Sequence, residues 1–430
     1  MHHRIPSSEP LLVLGETDWR SRHQRFGLLP SDRLRHLYLI GQTGSGKSTL
    51  IQRLVVQDIL SGRGVALLDP HGDLVQGVLP HVPPERTNDV VLIAPDDREF
   101  PVSFNIFRRG RELHPDPALL TAQVIILMKK MWADSWGPRL EHVLRSALLA
   151  IAQDQRATFV FLYRFLTDEA VRNPVVERLS DPVIRAFWQH EFPSYGKALQ
   201  GEALSPVLNK LGAFVASPLT RNLLGQERSR VDIMAVLANQ GILLADLATG
   251  RIGEDASHLF GGLIVTAIQL AAMERPRGGP VIYVYLDEFS HFTTGAITTV
   301  LSEARKFGMS LTLAHQYLSQ VPDIIQDAII GNVGTMLVFR LGGTDSIVLE
   351  REFAPVFTAY DLQNLPRSRV AARVMANGEV LKPFSARTLP PLPVPPGAER
   401  RIAAIREQSR QRFARPRAAV EAAIQDRFGA

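Results

Sequence analysis

The residues with the clearest chemical purpose are Gly41-Gln-Thr-Gly-Ser-Gly46-Lys47-Ser48, which match G-x-x-x-x-G-K-[ST]. Backbone N–H groups can wrap anionic phosphates only where the chain turns tightly and approaches closely, and glycine permits both. Thr43, Gly44, Ser45, Gly46, Lys47, Ser48 and Thr49 are therefore the candidate nucleotide-binding residues. Lys47 would reach the β- and γ-phosphates of ATP, and Ser48 would ligate Mg²⁺. A helix beginning at the loop adds a favourable dipole. The plain alternative is a Gly/Ser-rich turn, but the motif sits between an apolar run and a helical run, the context it requires.

Val281-Ile-Tyr-Val-Tyr-Leu286 is a continuous apolar run that ends in Asp287-Glu288. A buried strand that delivers two carboxylates at its C-terminal end puts them where an α/β sheet binds ligands. Asp287 is the candidate second Mg²⁺ holder, through water, and Glu288 the candidate group that orients and polarises the attacking water. Acids at strand ends are common, so the pair gains its meaning from the phosphate loop. The reading requires the two to meet; segments far apart on non-adjacent strands would end it.

Further candidates are less specific. The run Ser310–Ala314 ends at His315-Gln316, which makes Gln316 a candidate sensor of the γ-phosphate or lytic water. Arg305 and Lys306 suit a helix C-terminus electrostatically, or could serve a neighbouring subunit's nucleotide as a trans finger. Arg340 is the second finger candidate. Asp69-Pro-His71-Gly-Asp73 lies on the same edge but reads as a turn and helix cap. No Asn/Thr-Lys-x-Asp guanine reader occurs, since Asn209-Lys210 continues as Leu211-Gly212, and no H-E-x-x-H-type metal spacing occurs.

These groups need a sheet to carry them. His36–Ile40, Val65–Asp69 and Asp89–Ala94 read as apolar strands, alternating with helical runs such as Lys47–Leu60. Strands resume at Gly241–Leu247, Val281–Asp287, Ser310–Ala314 and Thr335–Arg340. A hairpin at Arg369–Met375 and Val380–Ser385 turns at Asn377-Gly378. The alternation predicts an α/β fold with a mostly parallel sheet covered on both faces. Leu119–Trp132, Leu140–Gln153, Leu162–Arg172, Pro182–Glu191 and Leu204–Ala216 have helical spacing. The expected domains are a polar lead-in at 1–35, a P-loop domain from 36–114 and 233–387, and an all-α insertion at 115–232. A proline-rich linker at 388–398 and a basic tail at 399–430 follow; the tail holds 8 Arg against 4 Asp/Glu, net +4.

Composition bounds the class. The 430 residues carry a net charge of +5, which permits contact with DNA without demanding it. Cysteine is absent, which excludes disulfides, thiol catalysis and Cys-based zinc sites and fits the cytoplasm. Leu259 to Met273 is too short and polar for a membrane span and reads as a buried helix, so no span and no signal peptide are expected.

In order along the chain, several segments together resemble one family. They are Gly41–Thr49, Leu68–Asp73, Ile242–Leu247 with Gly250–Glu254, and Leu286–Phe289. Leu301–Lys306, Ala314–Gln320 and Asn332–Thr335 with Phe339-Arg340 complete the set. The chain resembles a VirD4/TraG-type coupling ATPase of conjugative type IV secretion, within the FtsK–HerA group of DNA motors. The resemblance implies an additional-strand, catalytic-glutamate, RecA-like P-loop core and a homo-hexameric ring with ATP sites between subunits. It also implies an all-α domain that helps select cargo, DNA in a central channel, and relaxosome-like or secretion-system partners. Carried over by position, Lys47 and Ser48 bind nucleotide and Mg²⁺, Asp287 holds Mg²⁺, Glu288 activates water, Gln316 is the sensor and Arg305 the trans finger. Coupling proteins of the family begin with membrane helices that are not seen here. The expectation is then a cytoplasmic ATPase recruited to the inner membrane by a partner. A nuclease-partnered DNA-end motor and a protein-loading ATPase are the alternatives.

Overall fold

The computed structural model describes residues 11–18, 23–110, 112–276, 278–292 and 301–428. They form two compact units. The first comprises Met1–Val90, Val236–Asp246 and Ala272–Ile405; the second comprises Val91–Ala235, Leu247–Ala271 and Arg406–Ala430.

The first unit is built on one sheet. Its strands lie in the order Arg25–Leu28, Leu12–Thr17, Phe384–Arg387, Arg369–Arg373, Thr335–Val338, Leu37–Ile40, Met309–His315, Ile282–Leu286, Val65–Asp69, Ile242–Asp246. From Thr335–Val338 to Ile242–Asp246 the pairs are parallel; Arg369–Arg373 and the strands beyond it pair antiparallel. Every residue of Leu37–Ile40, Val65–Asp69, Ile242–Asp246 and Ile282–Leu286 is buried. That explains their unbroken apolar runs, because a parallel sheet covered on both faces offers no polar side. Helix Lys47–Leu60 buries Leu50, Ile51, Leu54, Val55 and Ile59, an i, i+4 stripe, against this sheet.

Several expectations change. Residues 1–10 and 19–22 of the supposed lead-in, with Arg20 and Arg22, lie outside the described residues. Its remainder is not a lead-in, because Leu12–Thr17 and Arg25–Leu28 extend the sheet. Leu12 and Leu14 are buried, and Gln57 of the phosphate-loop helix bonds both the N–H and the carbonyl of Val13, each at 3.0 Å. The hairpin is two-tiered: Arg369–Arg373 pairs with Phe384–Arg387, and a short inner pair, Met375–Ala376 with Glu379–Val380, closes at Asn377 and Gly378, both at positive φ.

The second unit is mainly helical, with Pro117–Met131, Pro138–Ile151, Phe159–Thr167, Glu169–Glu177 and Gly196–Ala216 among its helices. The expected helix Leu162–Arg172 is broken at Asp168, whose side chain accepts from the Ala170 N–H and starts a new helix. The unit also reaches beyond 115–232. Ser103 N–H bonds the Phe413 carbonyl at 2.8 Å, the Asn105 amide bonds the Ala157 carbonyl at 2.8 Å, and Phe104 meets Phe260 edge-on. The basic tail is two helices, Ala398–Phe413 and Arg417–Phe428. Phe413, Val420 and Ile424 are buried, so an apolar stripe within the Arg-rich sequence secures it. Helix Glu254–Glu274 is longer than the apolar run Leu259 to Met273 suggested. It is long and apolar enough to cross a membrane, and 78% of its apolar window is buried within the chain.

Candidate nucleotide site

The phosphate loop leaves Leu37–Ile40 and is shaped by three glycines at φ of 157°, 75° and 118°: Gly41, Gly44 and Gly46. A side chain at Gly41 would meet Phe339 Cβ at 2.5 Å, so close packing as well as backbone conformation demands glycine there. Nothing lies within 4 Å of a Cβ placed on Gly44. Gly46 caps the helix in the left-handed region, where a Cβ is costly. The loop is anchored from behind. Gln42 N–H donates to the Arg340 carbonyl at 2.9 Å, and Ser368 N–H donates to the Ser45 carbonyl at 2.9 Å. Thr43, Gly44 and Ser48 are exposed, while Lys47 and Ser45 are buried.

The carboxylate pair is delivered by Ile282–Leu286. One strand, Met309–His315, lies between it and the phosphate-loop strand. The two strands are therefore not adjacent, yet the groups they carry are not far apart. Thr43 Oγ1 donates to Gln316 Oε1 at 2.8 Å. Gln316 also lies close enough to Glu288 to favour its charged form. The intervening strand thus carries a residue that bonds the loop and lies beside the acid. Lys47 lies close enough to interact electrostatically with both Glu288 and Asp287.

The electrostatics are unusual for a sheet edge. Asp287 is 5% exposed and Glu288 4%. Burial first, then the neighbouring charges of Glu288 and Asp69, pushes the Asp287 carboxyl up to about 7. Burial also raises Glu288, against the lowering effect of Gln316. Asp287 Oδ1 and Glu288 Oε2 are buried with no hydrogen-bond partner. Such atoms are costly unless a bound cation or donor completes them. Glu288 also sits in the left-handed region, at φ 44° and ψ 50°. Strain of this kind persists where the surroundings hold it and concentrates at functional sites. A glycine cradle with a buried lysine, facing two buried carboxylates that each keep an unpartnered oxygen, fits a triphosphate with Mg²⁺.

Other candidates divide. Asp69 is a cap: Oδ1 accepts from His71 N–H at 2.9 Å, and Oδ2 accepts from Leu74 and Val75 N–H at 2.8 and 3.0 Å. Arg305 is exposed in the turn Ala304–Phe307, before Met309, where the strand carrying Gln316 begins. That is the opposite sheet edge, about 20 Å from Gln316 at 3.3 Å per residue. Within one chain, Arg305 does not join the loop. Arg340 does, through its carbonyl and through Nε to Gln42 Oε1 at 3.2 Å.

Four supporting residues escape a sequence reading. Phe339 fills the space behind Gly41, Ser368 holds Ser45, and Tyr38 bonds buried His315 just before Gln316. Asp345 accepts from Leu318 N–H at 3.3 Å beyond it. Only Phe339 carries a signal, as an aromatic ending an apolar run.

Residues 28–236 match the family model for the central domain of the helicase HerA. The type 4 coupling protein DotL of Legionella pneumophila is 23% identical over 355 residues, covering 67% of this chain and 44% of its own length. The chain thus spans less than half of that relative. In fold it is similar to the bacterial conjugative coupling protein TrwBdeltaN70, with TM-score 0.63, 15% identity and coverage of 90% and 89% of the two chains. It is also similar to TrwB in complex with ADP and Mg²⁺, with TM-score 0.62, 16% identity and coverage of 86% and 89%. VirB4 of Thermoanaerobacter pseudethanolicus gives TM-score 0.61 at 13% identity, over 91% and 99%.

Proposed function

We propose that this VirD4/TraG-like chain, with its HerA-type P-loop core, is a nucleotide-hydrolysing motor of conjugation or type IV secretion that moves DNA. The observation that carries the reading is the meeting of Thr43 with Gln316, beside Glu288 and opposite Lys47.

ATP supplies the reactive phosphoanhydride and Mg²⁺ neutralises phosphate charge. Thr43 to Thr49 cradle the phosphates, with Lys47 at the β- and γ-positions; Ser48 and Asp287 hold Mg²⁺. Glu288 orients the attacking water and takes its proton as the new P–O bond forms, with Gln316 beside it as the sensor. In this reading Arg305, remote from its own loop, serves the nucleotide of a neighbouring subunit in a hexameric ring. DNA and secretion-system or relaxosome-like proteins are the partners this reading calls for, at the inner face of a membrane. The net charge of +5 suits a phosphate backbone.

ATPase turnover measured with and without single- and double-stranded DNA tests the claim. Stimulation by either DNA, lost at high salt, is expected; indifferent turnover with no DNA binding at low salt overturns it. Arg305→Ala slows turnover of the assembled ring with ATP binding intact. Normal turnover would transfer the finger role to Arg340.

A protein-loading function is the second reading. It is favoured by an open cleft of about 660 Å³ in the helical unit, lined by Lys129, Trp136, Glu141, His142 and Arg145. Retention of a secreted protein by the whole chain, lost on Trp136→Ala, would support it.

A further inference from the structure

Asp69-Pro-His71-Gly-Asp73 reads from its sequence as a turn, and half of it is one. Asp69 spends its carboxylate on three backbone N–H groups, and Gly72 turns the chain at φ 90°. His71 has no part in that cap beyond its backbone: its side chain is exposed at the crest of the turn. Asp69 fixes where the crest lies.

The position is specific. Val65–Asp69 pairs with Ile282–Leu286 on the side away from Met309–His315. Leu68 is opposite Leu286, and Asp287 N–H donates to the Leu68 carbonyl at 3.2 Å, so the two strand ends leave the sheet together. Glu288 is therefore flanked from both neighbouring strands, by Gln316 on one side and by the His71 turn on the other. The His71 ring stacks edge-on with His291 at 6.3 Å between centroids, and His291 N–H donates to the Glu288 carbonyl at 2.9 Å. His71 is also near enough for its charge to act on the Glu288 carboxylate.

We propose that His71 is a further catalytic residue of the ATPase reaction: its imidazole N–H donates to an oxygen of the phosphoryl group in transfer, across Glu288 from Gln316. This rests on the ATP-hydrolysis reading above. No new bond is made or broken by His71. Water attacks the γ-phosphorus, its proton passes to Glu288, and ADP leaves, while His71 stabilises charge that grows on the phosphoryl oxygens. A donor aimed at developing charge is worth about 10²–10³ in rate when removed.

The test uses the full chain with Mg-ATP. His71→Ala is expected to lower kcat by about 10²-fold, with KM for ATP, affinity for a non-hydrolysable ATP analogue and melting temperature all unchanged. His71→Gln, which keeps an N–H donor, restores part of the lost rate. A turn with only a structural role would instead show a lower melting temperature and no difference between Ala and Gln. Unchanged kcat in His71→Ala, beside an active wild type, overturns the proposal. An inactive wild type that folds and binds the analogue overturns the ATPase reading itself.

Discussion

Two carboxylates lie buried at opposite ends of the same phosphate-loop helix region, and they are treated in opposite ways. Asp58, fully buried near the helix C-terminus, is surrounded by donors. Arg33 grips it with two bonds at 2.7 and 2.6 Å, Arg63 adds one at 3.0 Å and the Tyr285 hydroxyl one at 2.6 Å. Asp287 is almost as buried, yet Oδ1 has no partner. Tyr285 belongs to the strand that delivers Asp287, so a donor that satisfies one carboxylate lies two residues from the other in sequence. A buried charge with all its lone pairs met fixes structure. One left open stores a demand for a ligand.

The largest expected effect is on the open side. Glu288→Gln keeps shape and ATP binding but lowers kcat by about 10³-fold, by removing the proton acceptor; single-turnover assays with ATP-analogue binding as control check it. Undiminished turnover would remove Glu288 from the reaction. On the satisfied side, Asp58→Ala leaves two guanidiniums without their carboxylate and costs about 3–5 kcal/mol of stability, seen in urea unfolding. A loss under about 1 kcal/mol would mean that the cluster is solvated and the contrast is false.

Acidity sharpens the comparison next. Asp287 is raised from 3.8 to about 7 on folding, so the folded state binds the extra proton between those values. Stability without ligand therefore falls as pH rises from about 4 to about 7, by on the order of 2–4 kcal/mol from this group. Asp287→Asn abolishes that fall and melts above wild type at pH 8, with the two converging near pH 4. Parallel melting curves would count against a strained carboxyl. The smallest effect is backbone strain: Glu288→Gly relieves the left-handed conformation and stabilises by about 1 kcal/mol, while hydrolysis is lost.

Much of the first unit was legible in the sequence because its strands are buried on both faces. Val65–Asp69 and Ile282–Leu286 are unbroken apolar runs that no amphipathic helix would show. The loop was legible because phosphate wrapping tolerates few residue types. Strand order was not legible, since periodicity does not report which strand lies beside which. The first strands, Leu12–Thr17 and Arg25–Leu28, were hidden by flanking charge. Their partner, Phe384–Arg387, lies far along the chain.

From sequence alone came the chemistry on offer: a glycine loop with Lys47 and Ser48, and an acid pair ending a buried strand. Side-chain type and local spacing settle such things, because they depend on neighbours in the chain. Tertiary structure alone decided that Gln316 meets Thr43 beside Glu288, that Asp69 is consumed as a cap while His71 is presented, and that Arg305 stands at the far sheet edge. Those outcomes follow from parallel pairing, which brings strand ends hundreds of residues apart to one edge and sends the other ends away.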